Sequence, residues 1–172
     1  MVRRRFLWAA AAVVLALTGS ADAKPVPAEL QPAGAKPLLT AKAKGVQIYK
    51  SVAADDGHFK WMLEAPLAEL SDGHGKVIHH YAGPSWEALD GSKVARGAET
   101  AVKVVAAPNA AADIPWLLVK VAAEPTPGVL SQVGFVQRIE THGGQAPVAV
   151  PIRADTKIGV PYTATYVFFA KP

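Results

Sequence analysis

Apolar positions in this 172-residue chain fall into short runs cut by Gly, Pro and Asp-Gly. That is the punctuation of an all-β protein. Val46 and Ile48 alternate with Gln47 and Tyr49 ahead of a turn at Asp55-Asp56-Gly57. Phe59, Trp61 and Leu63 alternate with Lys60, Met62 and Glu64, which puts the first three on one face of a strand. Val77 to Tyr81 is a short strand after Ser71-Asp72-Gly73. Trp86 to Leu89 and Lys93 to Ala95 flank Asp90-Gly91, two residues that tolerate positive φ and so signal a tight hairpin. Ala101 to Val105 reads as a further strand.

Ile114-Pro115-Trp116-Leu117-Leu118-Val119 is apolar on both faces and predicts a strand covered on both sides. Pro115 then belongs at its start, where no ladder donor is needed. Gly128 to Ile139 reads as one long strand with a bulge or bend at Gly134, ended by His142-Gly143-Gly144. Val160 to Phe169 closes the chain. Its Val160, Tyr162, Ala164, Tyr166 and Phe168 point one way, and Thr163, Thr165, Val167 and Phe169 the other. Only Ala65 to Leu70 has helical composition, enough for one turn. The expected fold is all-β, a single-domain sandwich or barrel of about eight to nine mostly antiparallel strands with at most one short helical turn. Sequence does not separate sandwich from barrel.

The two ends of the pattern differ from its middle. Arg3, Arg4 and Arg5 precede an unbroken apolar run from Phe6 to Leu17, and Ala21-Asp22-Ala23 follows. Charge, apolar run and small residues in that order predict a secretory signal peptide over residues 1–23. The run is too short for a spanning helix, which needs roughly 20 residues. The expected localisation is therefore the bacterial periplasm or the medium, with a mature chain starting at Lys24 and lacking a membrane span. Residues 24–37 carry four prolines and one glycine. They read as an extended lead-in or a floppy tail. Residues 38–172 form the β-rich domain.

Charge and cysteine usage exclude several functions. The formal charge is +4, and the signal peptide takes three Arg and one Asp with it, leaving +2. So small a charge gives no case for nucleic acid. There is no cysteine. A lipid anchor, a disulfide, thioether-linked haem and thiolate metal sites are all excluded.

Candidate chemistry is sparse. No cofactor is expected. His58, His74 and His142 sit at turns, and with Asp56 and Asp72 they could form an N/O metal site. Solvated turn residues are the alternative. His79 and His80 are adjacent and point to opposite faces, so they do not share an ion. Ser92 follows Asp90-Gly91 near His80, but no Gly-x-Ser-x-Gly is present. A hairpin with Asp90 in an Asx-turn explains that run better. Glu87 and Asp90 are too few groups for a glycosidase pair. Among the rings, Trp86 lies between Gly83-Pro84 and Asp90-Gly91 and is the best candidate to face a ligand. The candidate ligand set is Trp86, His79, Tyr81, Asp90, Ser92 and Arg138. Arg138 could instead pair with Glu140 or Glu87.

The run from His79 to Val94 (HHYAGPSWEALDGSKV) is the densest in unusual residues. Together with Gly45-Val46-Gln47-Ile48-Tyr49, Ile114 to Leu118, Gln137-Arg138, Gly143-Gly144 and Val160 to Ala164, it resembles a secreted bacterial and fungal family known as domain of unknown function 3455. The resemblance implies no established activity, substrate or cofactor. It implies cysteines where this chain has Ser51 and Pro151, and hence that these two positions are neighbours, with Cα atoms within about 7 Å. It also implies Asn at Glu140 and Asp at Thr165. The expected function is a periplasmic or extracellular binding or envelope-associated module for a small-molecule or envelope ligand. A small secreted enzyme, hydrolytic or metal-assisted, is the alternative. The oligomeric state stays open.

Overall fold

The structure, a computed structural model, describes residues 24–97 and 100–172. The expected signal peptide lies outside the described residues. Ten strands follow a 3-10 turn at Ala28–Leu30: β1 (Pro37–Ala53), β2 (Phe59–Ser71), β3 (Val77–Tyr81), β4 (Ser85–Ala88), β5 (Lys93–Ala95), β6 (Val102–Val105), β7 (Trp116–Lys120), β8 (Ala122–Ala123), β9 (Val133–Gly143) and β10 (Lys157–Ala170). All pair antiparallel in one sheet, in the order β6-β7-β9-β10-β1-β2-β3-β4-β5-β8.

That order explains the shape. β7 lies second from one edge and β8 forms the other edge, yet Val121 alone separates them. The sheet must therefore curl until its two ends meet. Val121 marks the meeting point, where its N–H donates to the carbonyl of Gly134 on β9. The result is one curled half-barrel sheet, and the two-sheet sandwich is not the fold. β8 is the strand that sequence omitted, because two alanines carry no periodicity to read.

Curling gives each strand an inner and an outer face. Leu70, Ile78, Trp86, Val94, Val119, Val136, Tyr166 and Phe168 meet inside as one cluster. Trp116, Leu118 and Ile139 point outward and are covered by Leu30 and Val26. β7 is thus apolar on both faces because both are covered, and Pro115 precedes its first residue. The lead-in is the cover: Leu30 is fully buried, and Gln137 Nε2 donates to its carbonyl at 2.7 Å. Within the lead-in it is Val26 and Leu30 that pack against the sheet.

Three local expectations change. Ala65–Leu70 is strand, part of β2, and the only helical turn among the described residues is Ala28–Leu30. A six-residue run cannot repay helix nucleation, whereas here it gains pairing with β1 throughout and with β3 from Ala68. Pro66 is tolerated because β2 has only β1 beside it at that point. On β1 the alternation holds with the polar members inside: Gln47, Tyr49 and Ser51 are buried, and Val46 and Ile48 half-buried.

The third change concerns β9, which starts at Val133 rather than Gly128. Asp90 and Ser92 capture residues 129–130 as a turn: Val129 N–H donates to Asp90 Oδ2 at 2.8 Å and Leu130 N–H to Ser92 Oγ at 3.1 Å. Gly134 is the bulge, left over where Phe135 pairs with Phe169 and Val133 with Ala170. Ser92 is fully buried, so Ser92→Ala strands the Leu130 N–H. Urea denaturation of that variant is expected to show a loss of about 1–3 kcal/mol. An unchanged midpoint would contradict the capture.

Candidate functional site

The inner face is not uniformly apolar. β1 contributes Gln47, β3 His80, β4 Trp86, β9 Arg138 and β10 Tyr166, all buried. These five side chains, with Leu117 of β7, line a cavity of about 410 Å³.

Hairpin geometry builds the cavity wall. β3 and β4 fold about Gly83, so His80 pairs with Trp86 and Tyr81 with Ser85. Cross-strand partners share a face. The His80 ring therefore stacks on Trp86, centroids 4.5 Å apart and planes within 3°. Tyr166 meets both rings edge-on. His80 Nδ1 lies 2.9 Å from the carbonyl of Ser85, which can only accept, so Nδ1 carries the proton. Burial pushes the His80 pKa down to about 4; the Ser85 hydrogen bond opposes this and the charge of Arg138 adds to it. His80 is neutral at pH 7, with its Nε2 lone pair not engaged by Ser85.

Arg138 is buried, 8% exposed. Its Nε and Nη2 reach the carbonyl of Pro115 at 3.3 and 2.9 Å. Among the described residues no carboxylate lies within 4.0 Å of it. Glu64 also lines the cavity, but its Oε1 is held by Lys157 at 2.8 Å. Two further donors at this wall, Gln47 Nε2 and Trp86 Nε1, are buried without a hydrogen-bond partner.

Sequence-predicted residues divide sharply. Trp86 and Arg138 come together at the cavity. His79 and Tyr81 face away from it: His79 is exposed, and the Tyr81 hydroxyl donates to Glu87 at 2.5 Å. Asp90 and Ser92 serve the 129–130 turn described above. Arg138 pairs with neither Glu140 nor Glu87. Sequence missed His80 and Gln47. The parity of the hairpin held the signal for His80, since a turn centred on Gly83 sets residue 80, not 79, opposite Trp86. Gln47 carried no such signal.

The proposed metal ligands do not assemble. No group of three or more His, Asp or Glu able to hold an ion occurs among the described residues. Asp56 accepts from the His58 N–H, and Asp72 from the N–H groups of His74 and Lys76. Both are Asx-turns with the imidazoles exposed. His142 lies on β9 and borders a larger outer hollow of about 820 Å³ with Lys24, Lys42, Lys44 and Trp116. Glu140 Oε2 takes both Lys42 Nζ at 3.0 Å and the Thr165 hydroxyl at 2.5 Å, and Asp113 accepts from the Gly143 N–H. Glu140 sits at φ +49. Asn, which the resemblance implied there, enters that region more readily than Glu.

Ser51 is tied to the β9–β10 loop. It donates to the carbonyl of Arg153 and exchanges backbone bonds with Asp155 and Thr156. Pro151 lies two residues from that anchor and is buried.

A single curled antiparallel sheet around a partly polar, ligand-sized interior is the class that fold and site define. The chain belongs to the family described as protein of unknown function (DUF3455), whose model matches residues 32–170. No curated protein and no solved structure matches it.

Proposed function

We propose that this chain is an exported binding module that holds a small organic ligand in the interior cavity beside Trp86. One observation carries the reading: Gln47 and Trp86 line the cavity, and their donors Nε2 and Nε1 are buried without acceptors. Buried donors in folded proteins are nearly always paired, and leaving one unpaired costs about 1–3 kcal/mol. A ligand acceptor restores the pairing. A volume of about 410 Å³ lies within the usual range of small-molecule sites. The leader pattern of residues 1–23 supports export, and with it a ligand from the envelope or the medium.

Two measurements test this. Uncharged probes of suitable size, indole and benzamide, are expected to raise the unfolding temperature of the native protein and to change its tryptophan emission. Leu117→Trp, which fills the cavity, is expected to abolish both responses. Native protein that ignores every probe, or a filled variant that responds as the native protein does, overturns the cavity reading. Export is tested by N-terminal sequencing of the protein recovered from cell fractions. The expected start is Lys24 in the periplasm or medium; an uncut precursor in the cytosol overturns it.

A further inference from the structure

Arg138 decides the ligand's chemistry, given that the cavity is the binding site. We infer that the cavity takes a small monocarboxylate whose charged group seats on the free edge of Arg138 and whose apolar body lies against Trp86, Tyr166 and Leu117.

Charge is the first ground. A guanidinium taken out of water without a counter-charge is strongly destabilising, because desolvation is not repaid. Arg138 has a single neutral acceptor, the Pro115 carbonyl. The one carboxylate at the cavity wall, Glu64, belongs to Lys157. An anion supplied from outside completes the pair.

Geometry is the second ground. The Pro115 carbonyl occupies the Nε–Nη2 edge of the guanidinium. Nη1 has no protein acceptor among the described residues, so the Nη1–Nη2 end is open to a planar two-oxygen partner. Carboxylates meet arginine in that forked way. The unpaired donors on Gln47 and Trp86 favour the same kind of ligand, since an oxyanion only accepts.

Charge count is the third ground. Arg96 also borders the cavity, but it is only half-buried and its charge stays hydrated, with Nε donating to the carbonyl of Thr100. His80 is neutral. Arg138 is therefore the one buried cation among the described residues of the wall, which favours a carboxylate over a phosphate dianion. The remaining wall is rings and aliphatic carbon, suited to an apolar body.

The test compares matched pairs by calorimetry at pH 7: benzoate against benzamide, and hexanoate against hexanamide, with inorganic phosphate as a third arm. The carboxylates are expected to bind at least about tenfold more tightly than their amides, the scale of one charge-assisted hydrogen bond. Arg138→Gln is expected to erase that preference while leaving amide binding in place. The native comparison stands alone if this variant fails to fold. Amides that match the carboxylates overturn the anion seat and leave the cavity reading intact. Phosphate binding more tightly than the carboxylates also overturns it. No binding by any probe overturns both readings.

Discussion

Gly45→Ala is expected to be among the most damaging substitutions in this protein, costing about 3 kcal/mol. Gly45 sits mid-β1 with Tyr162 of β10 on one side and Ala68 of β2 on the other. An added Cβ would overlap the carbonyl oxygen of Leu67 and lie 2.5 Å from both Cα and Cβ of Ala68. None of these atoms can rotate aside, so relief requires prising β1 from β2. That pairing is at the middle of the sheet order and joins two of its three longest strands. Thermal unfolding should move down by about 10 °C. Gly73→Ala is the control. Its Cβ would meet nothing within 4 Å, so only the strain of φ +78 remains. That strain is worth about 1 kcal/mol. Similar losses for the two variants would refute the close approach of β1 and β2.

Stability is also expected to fall as pH drops from 6.5 to 4, by about 3 kcal/mol, on account of His80 alone. The sign follows from which state binds the proton. Unfolded His80 titrates at its ordinary value of 6.5, whereas the folded imidazole is pushed down to about 4. Between those values the unfolded chain takes up a proton that the folded chain refuses. Stability is therefore complete above pH 6.5, declines through the window, and loses nothing further from this group below 4. Asp72, Asp90, Asp155 and Glu140 are held below the ordinary carboxylate range by hydrogen bonds and nearby cations. Their contributions fade at lower pH, so the two effects separate. Urea denaturation at half-unit steps reads the slope. His80→Phe keeps a ring against Trp86 and removes the titrating group, so its curve should be flatter between pH 4.5 and 6.5. A native curve flat over that window would mean that His80 is not held neutral.

The same imidazole shows where sequence reasoning reached its limit. Strand alternation correctly set His79 and His80 on opposite faces. It did not say which face was inner, because both residues are polar and polarity pointed outward. The inner face of β1 misled in the same way: Gln47 and Tyr49 resemble a solvated edge, yet both are buried. Arg138 was legible as a candidate because a cation can serve as polar partner to the rings around Trp86. Its lack of a carboxylate partner was not, since Glu140 two residues away looked like a natural mate. The positive φ at Glu140 and the bulge around it turn that carboxylate toward Lys42 and Thr165 instead.

The boundaries tell a similar story. Val77–Tyr81 and the Lys93–Ala95 arm came directly from period-two patterning and Asp-Gly chemistry, which are local. The start of β9 did not, because the side chains of Asp90 and Ser92, nearly forty residues earlier, remove residues 129–130 from the ladder.

Sequence by itself determined the all-β class, the absence of thiol chemistry, the covered strand at Trp116–Val119 and the Gly134 bulge. Each is set by side chains within a few positions of one another. Tertiary structure alone decided that the sheet curls back on itself at Val121, and which face of each strand looks inward. It alone decided that Gln47, His80, Trp86, Arg138 and Tyr166, from five strands, share one cavity. Those facts depend on pairing between distant segments, and alternation along a single strand fixes two faces without naming the one that will be enclosed.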